Sequence, residues 1–109
     1  MSMTRREKIE SMLKDEPDDV FLRYSLALEM EAAEEWESSL EILETLARGT
    51  PAYVPAFQMA AQQLVKRDQI TDARRALREG IEAARSQGNT HAAGEMSELL
   101  MSLGEMPGE

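Results

Sequence analysis

The sequence repeats an apolar pattern with a period of 34 residues. The segment EWESSLEILETLA begins at residue 35, and QITDARRALREGI, with the same apolar skeleton, begins 34 positions later at residue 69. Pro17 and Pro51 are separated by the same interval, and each follows a stretch with helical periodicity. Because the residue before a proline is disfavoured in a helix, each proline marks a helix end. A fixed period of this length indicates one supersecondary unit written more than once.

The composition favours helices. Apolar residues make up 42% of the 109 residues, aromatic residues only 5%, and there are eight methionines. A core rich in Leu, Ala and Met suits helix better than sheet. We therefore expect an all-α single domain of residues 1–109. Its six helices are predicted at residues 4–15, 19–33, 36–49, 53–67, 70–86 and 90–103.

The predicted units follow from these helices. They are an N-terminal helix (4–15), a first repeat (19–51) and a second repeat (53–86), each a helix hairpin. A C-terminal capping helix (90–103) and a frayed tail (104–109) follow.

The repeated pattern resembles the tetratricopeptide repeat, in which Trp-x2-Leu-Gly-x2-Tyr is followed by Ala-x3-Phe and then by Pro. The first copy reads Arg23-x2-Leu26-Ala27-x2-Met30, Ser39-x3-Leu43, Pro51. The second reads Phe57-x2-Ala60-Ala61-x2-Leu64, Ala73-x3-Leu77. The resemblance implies antiparallel helix hairpins stacked as a short right-handed solenoid. Arg23 stands where the family has Trp, and Leu46 and Met12 stand where it has a small residue.

Small residues are present where the two helices of a hairpin would touch. They are Ala27 and Ser39 in the first copy, and Ala61 and Ala73 in the second. Such pairs allow helix axes to approach at the short end of the usual range of about 8–10 Å. The spacing therefore predicts two closely packed hairpins of the same geometry.

The helix predicted at 19–33 is apolar on two sides. One side carries Val20, Leu26, Ala27 and Met30, and the nearly opposite side carries Phe21, Tyr24 and Leu28. Such a helix is either buried on both sides or exposes a binding strip. An ordinary helical bundle is the alternative fold, and this two-sided pattern argues against it.

The resemblance also implies a binding surface, because the first helix of each repeat in the family lines a concave groove for extended or helical peptides. By register, that surface consists of Phe21, Tyr24, Leu28, Glu31, Gln58, Met59, Gln62, Val65 and Lys66, with Ala93, Ser97 and Leu100 from the last helix. Gln58 and Gln62 lie one turn apart and suit hydrogen bonding to a peptide backbone. In the alternative, Tyr24 and Leu28 pack against helix 4–15.

Some members of the family hold a terminal carboxylate with a clamp of Lys, Asn and Arg. This chain has Tyr24, Leu28, Gln58 and Gln62 at the equivalent places. We therefore do not expect binding of chaperone tails by that mode.

The charge disfavours two classes of partner. The formal net charge is −9 and the pI is near 4.6, so nucleic acid and anionic membrane surfaces would be repelled on average. There is no cysteine, which excludes disulfides and thiolate sites. The first residues, MSMTRREKIESML, lack the apolar region of a signal peptide, and no run approaches the roughly 20 apolar residues of a membrane span. We expect a cytoplasmic protein.

Residues suited to catalysis are scarce. His91 is the one histidine, with Glu95 a turn later, whereas zinc usually needs three or four protein ligands. Adjacent carboxylates such as Glu34 and Glu35 fall at helix ends, where capping and solvation account for them. We expect no catalytic residues, no metal and no cofactor.

These observations favour a non-catalytic protein–protein interaction module. One alternative is a self-associating structural subunit, in which the acidic stretch 29–44 of one copy attracts the arginines of helix 70–86 in another. A second alternative is a regulatory fragment or an enzyme whose site the sequence does not reveal.

Overall fold

The computed structural model describes residues 2–104 and contains six α-helices, with no strand in this range. The helices are α1 (Arg5–Asp15), α2 (Val20–Ala32), α3 (Trp36–Ala47), α4 (Val54–Lys66), α5 (Ile70–Ser86) and α6 (Thr90–Ser102). The all-α class is confirmed, and each predicted helix boundary lies within two residues of the observed one. Of the predicted frayed tail, only Gly104 falls within the described residues.

None of the helices in residues 2–104 has the length and apolar character needed to cross a membrane.

Side-chain caps begin three of the helices. Thr4 and Glu7 form a capping box at α1, in which the Thr4 hydroxyl accepts from the Glu7 N–H at 3.1 Å and the Glu7 carboxylate accepts from the Thr4 N–H at 2.8 Å. The Asp19 carboxylate accepts from the Leu22 N–H at 2.9 Å, and Asn89 caps α6 in the same way. These side chains satisfy N–H groups that have no partner within the helix, and so fix where each helix starts.

The hairpins α2–α3 and α4–α5 are closed by the same turn. Glu34 and Asp68, which are 34 residues apart, adopt positive φ values of 64° and 61°. In each turn the next residue donates its N–H to a carbonyl five positions back, at 2.8 Å. This is the Schellman pattern, which ends a helix on one left-handed residue. The turns therefore recur at the period of the sequence.

Helices that are consecutive in the chain pack against each other, and α4 also touches α6. The molecule is elongated, with extents of 51 × 29 × 18 Å. The core is formed mainly by α3 to α6, and α2 contributes Ala27 to it. Six positions that correspond at the 34-residue interval are all fully buried: Ala27, Ala61, Ser39, Ala73, Leu43 and Leu77.

Helix α1 is attached by few apolar contacts. Its one buried residue is Ile9, which lies outside the main core. The Arg6 guanidinium donates two hydrogen bonds, of 2.5 and 3.1 Å, to the Glu35 carboxylate, and Arg5 lies 3.8 Å from Glu29. Two surface ion pairs therefore join α1 to the hairpin that follows, in addition to the packing of Ile9.

Candidate interaction surfaces

Ten of the twelve predicted binding residues lie on three helices and remain at least partly accessible to solvent. We name ten of them the peptide strip: Phe21, Tyr24, Leu28 and Glu31 on α2, Gln58, Met59, Gln62, Val65 and Lys66 on α4, and Ser97 on α6. Phe21 is 65% exposed, Gln62 and Lys66 are also exposed, and the others are half-buried. On α4 these residues alternate with buried ones, so the helix has one accessible side.

An acidic residue joins the two main helices of the peptide strip. The Glu31 carboxylate on α2 lies 3.2 Å from Lys66 Nζ and 3.3 Å from the Arg67 guanidinium. The Glu31 side chain is only 14% exposed. Arg67 also lies over the Trp36 ring, 4.8 Å from its centroid, which is cation–π distance. The sequence alone did not identify this role of Arg67, because Glu31 and Trp36 lie more than 30 positions away in the chain.

Tyr24 makes its ring contact with the second hairpin. Its ring meets Tyr53, the N-cap residue of α4, edge to face, with centroids 5.4 Å apart and planes at 64°. Partial burial, together with the neighbouring Tyr53 phenol, raises the pKa of Tyr24. The aromatic pair therefore ties the start of α4 to the middle of α2, beside the peptide strip.

Two residues predicted for the groove on α6 are not available to a ligand. Ala93 is 6% exposed and Leu100 is fully buried, so the prediction is wrong for both. Together with Met96 they form the buried stripe of α6, which packs on α5 and α4. Ser97, which lies between them, stays half-buried.

A second concave surface lies on the other side of α4. We name it the α3–α5 cleft; its volume is about 470 Å³. Its floor is formed by Phe57, Ala60 and Leu64 of α4. Because successive helical residues are about 100° apart, this floor points nearly opposite to Gln58 and Gln62 of the peptide strip. The two surfaces therefore occupy opposite sides of one helix.

The walls of the α3–α5 cleft are apolar at the base and charged at the rim. Leu40 and Ala47 of α3 face Ala76 of α5 across the floor. The rim carries Glu44, Arg48, Gln69, Asp72, Arg75 and Glu79. The α4 residues at the base of the cleft belong to the core, with Phe57, Ala60 and Leu64 only 7%, 4% and 9% exposed.

The one histidine of the chain lies on the surface of α6. His91 Nε2 lies 2.6 Å from the Glu95 carboxylate, and the His91 side chain is 87% exposed. Within residues 2–104, no group of three His, Asp or Glu side chains is placed to hold a metal ion.

The sequence matches no protein-family model and no curated protein. Among solved structures, it is similar to protein BPP2914 from Bordetella parapertussis, determined in solution. The TM-score is 0.78 and the sequence identity is 25%, over 94% of this chain and 90% of that chain. The likeness therefore concerns the fold of nearly the whole of both proteins.

Proposed function

We propose that this chain is a non-catalytic protein-interaction module that binds an extended peptide or a partner helix along the peptide strip. In this proposal, the hairpins α2–α3 and α4–α5 are tetratricopeptide-like repeats in a short right-handed solenoid. Helix α1 precedes the repeats, and α6 caps the far end.

The recurring turns and buried positions support the repeat arrangement. Glu34 and Asp68 occupy the same place in identical turns, and the small residues of both hairpins are buried at the same register. A single hairpin cannot bury its apolar face alone, so stacking is the expected consequence of such duplication.

The observation that carries the proposal is the accessible apolar and amide character of the peptide strip. Phe21 is 65% exposed, although large aromatic side chains are usually covered. Farther along, Gln58 and Gln62 present amides one helical turn apart, beside the half-buried Met59. Amides can hydrogen-bond a peptide backbone, while neighbouring apolar groups cover its side chains.

Affinity capture from native lysate, with wild-type protein and the Leu28→Glu variant as baits, tests the proposal. We expect the wild type to retain a partner that Leu28→Glu loses, because a charge would face the apolar part of the groove. Thr45→Glu on α3 is the matched control, since Thr45 is exposed on another helix, and it should retain the partner.

A peptide from the captured protein is then titrated against the labelled module. Chemical-shift changes along α2 and α4 at the peptide strip support the proposal. Capture that is unaffected by Leu28→Glu, or shift changes confined to α5, contradicts it.

The charge distribution favours a second candidate, a self-associating subunit. Glu37, Glu41 and Glu44 are exposed on α3, and Arg75 and Arg85 are exposed on α5, so faces of two copies would attract at low salt. Sedimentation at low and high salt separates the candidates. A monomer under both conditions rules out self-association.

A further inference from the structure

Helix α6 repeats the burial pattern of α4 at an interval of 36 residues. Tyr53 and Asn89, the N-cap residues of the two helices, are this far apart. Six positions that correspond at this interval are at most 9% exposed: Phe57, Ala60 and Leu64 on α4, and Ala93, Met96 and Leu100 on α6. At an interval of 35 residues the match fails, because the exposed Glu95 would correspond to the buried Ala60. The two helices therefore present corresponding sides to the rest of the protein.

This interval corrects the position of the peptide strip on α6. The prediction from the sequence placed Ser97 as the counterpart of Gln62, 35 residues later. At an interval of 36 residues, Ser97 corresponds instead to the buried Ala61, and the exposed Glu98 corresponds to the exposed Gln62. Glu98 is therefore the residue of α6 that takes the place of Gln62 on the accessible side.

Two further positions on this side of α6 are accessible. Gly94 and Met101 are the counterparts of Gln58 and Val65, and both are exposed. No atom of residues 2–104 lies within 4 Å of a Cβ built at Gly94, and the large apolar side chain of Met101 is 53% exposed. Gly94, Glu98 and Met101 therefore continue the accessible side of α4 onto α6.

One accessible residue on each of three helices lies at the same register position: Leu28 on α2, Gln62 on α4 and Glu98 on α6. Leu28 is half-buried, and the other two are exposed. The side chain at this position changes from apolar to amide to carboxylate from one helix to the next. A peptide that crosses the three helices would therefore meet a different chemistry on each.

Glu98 carries a charge that no neighbouring side chain balances. Among residues 2–104 it forms no ion pair, and helix α6 contains no Lys or Arg. The second carboxylate of this helix, Glu95, lies 2.6 Å from His91 Nε2. Glu31, the acidic residue of the peptide strip on α2, is already paired with Arg67 at 3.3 Å. A cationic group of a bound peptide would therefore be attracted to Glu98.

We propose that Glu98 determines the specificity of the peptide strip by selecting a Lys or Arg in the bound peptide. An apolar side chain of the same peptide contacts Leu28, and Gln62 hydrogen-bonds the peptide backbone between them. Two helix-to-helix steps of about 10 Å each separate α2 from α6. An extended peptide spans them with about six residues, at roughly 3.3 Å per residue. This inference rests on the proposed function, since it names the chemistry of the peptide that the peptide strip binds.

Random-sequence peptides of about 12 residues, twice that span, are displayed on phage and selected on immobilised protein. Parallel selections use wild type, Glu98→Lys and Glu41→Lys. Glu41 is exposed on α3, so Glu41→Lys makes the same change in net charge outside the peptide strip. Binders of wild type and of Glu41→Lys should carry Lys or Arg about six positions from an apolar residue. Binders of Glu98→Lys should carry Asp or Glu at that place instead.

The spacing and the reversal are the decisive readouts, because a net charge of −9 would enrich basic residues at every position of the peptide. Fluorescence anisotropy at low salt then measures the Kd of a peptide selected on wild type. Glu98→Gln should weaken binding about two- to fivefold, the range for an exposed ion pair. Glu98→Lys should weaken it at least about fivefold, because repulsion is added. Glu41→Lys should change the Kd less than about twofold.

Leu28→Glu separates failure of this inference from failure of the proposed function. If no peptide is selected, or if selected peptides bind Leu28→Glu as tightly as wild type, the peptide strip is not a peptide site and both proposals are overturned. If Leu28→Glu loses binding but the peptides lack a basic residue at the expected spacing, the role of Glu98 alone is overturned. The same conclusion follows if they bind wild type and Glu98→Lys equally.

Discussion

The hydroxyl of Ser39 in α3 donates a hydrogen bond of 2.6 Å to the carbonyl oxygen of Ala27 in α2. The same oxygen of Ser39 accepts a hydrogen bond of 3.1 Å from Gln63 Nε2 in α4. Ser39 is fully buried and Gln63 is 1% exposed. One buried hydroxyl therefore links three helices at the boundary between the hairpins. In the second hairpin the corresponding residue is Ala73, which has no hydroxyl.

Ser39→Ala should destabilise the protein by about 1–3 kcal/mol, because it leaves the Gln63 amide buried without an acceptor. Urea unfolding followed by circular dichroism measures the loss. Adding Gln63→Leu should recover most of it, since replacing both polar partners removes the unsatisfied group. Ser38→Ala, at an exposed neighbour, is the control. Equal costs for Ser38→Ala and Ser39→Ala would contradict the prediction.

Gly80→Ala should destabilise the protein by about 1–3 kcal/mol through overpacking. A Cβ at this position would lie 2.6 Å from both Phe57 Cβ and Met96 Sδ. Phe57 Cβ cannot yield unless the α4 backbone moves. Gly94→Ala is the matched control in α6, where nothing lies within 4 Å of the added carbon. That change should stabilise by up to about 1 kcal/mol, through helix propensity. Thermal unfolding measures the stability of both variants. Similar changes in stability for Gly80→Ala and Gly94→Ala would contradict the overpacking argument.

At turn positions with positive φ, introducing a glycine should stabilise the protein and removing one should destabilise it. Glu34→Gly should stabilise the protein by about 0.5–1 kcal/mol, because a non-glycine residue at positive φ is strained. Gly88, at φ 72° in the turn between α5 and α6, already has the favoured residue. Gly88→Ala should therefore cost about 1 kcal/mol. No atom lies near its added Cβ, so the measured change in unfolding free energy reports the backbone alone. A stabilising Gly88→Ala would contradict this reasoning.

The attachment of α1 should weaken in acid. The hydrogen bonds from Arg6 lower the pKa of Glu35 below its ordinary value of 4.5, and they raise the pKa of Arg6. A carboxyl group whose pKa is lower in the folded state stabilises the fold at pH values above its pKa in the unfolded state. That contribution is lost as the pH falls through the lower folded value. Wild type should therefore be more stable than Glu35→Gln above about pH 4.5, and the difference should vanish in stronger acid.

Urea unfolding of both proteins between pH 2.5 and 7 measures this difference. Arg6→Gln is the control: in its background Glu35→Gln should show no such pH-dependent difference, because the hydrogen bonds between Arg6 and Glu35 are already absent. If the difference in unfolding free energy between wild type and Glu35→Gln stays constant from pH 2.5 to 7, the ion pair between Arg6 and Glu35 does not stabilise the attachment of α1.

The six helices and their boundaries could be predicted because the signals for them are local. Thr4, Asp19 and Asn89 cap the helices they precede, and the 34-residue period places both hairpin turns. A helix cap depends on a few neighbouring residues, and the turn position depends on the apolar pattern within one repeat. The burial of Ala27 and Ser39 was predictable for the same reason, since small residues recur at one register.

The details of the peptide strip and of the α3–α5 cleft were decided by tertiary packing. Which side of α6 is buried, the contact of Arg67 with Glu31 and Trp36, and the α3–α5 cleft over Ala60 all depend on residues brought together from separate helices. Their geometry depends on how closely and at what angle the helices pack. Sequence periodicity gives the side of a helix that is apolar, but the neighbouring helix determines whether that side is covered.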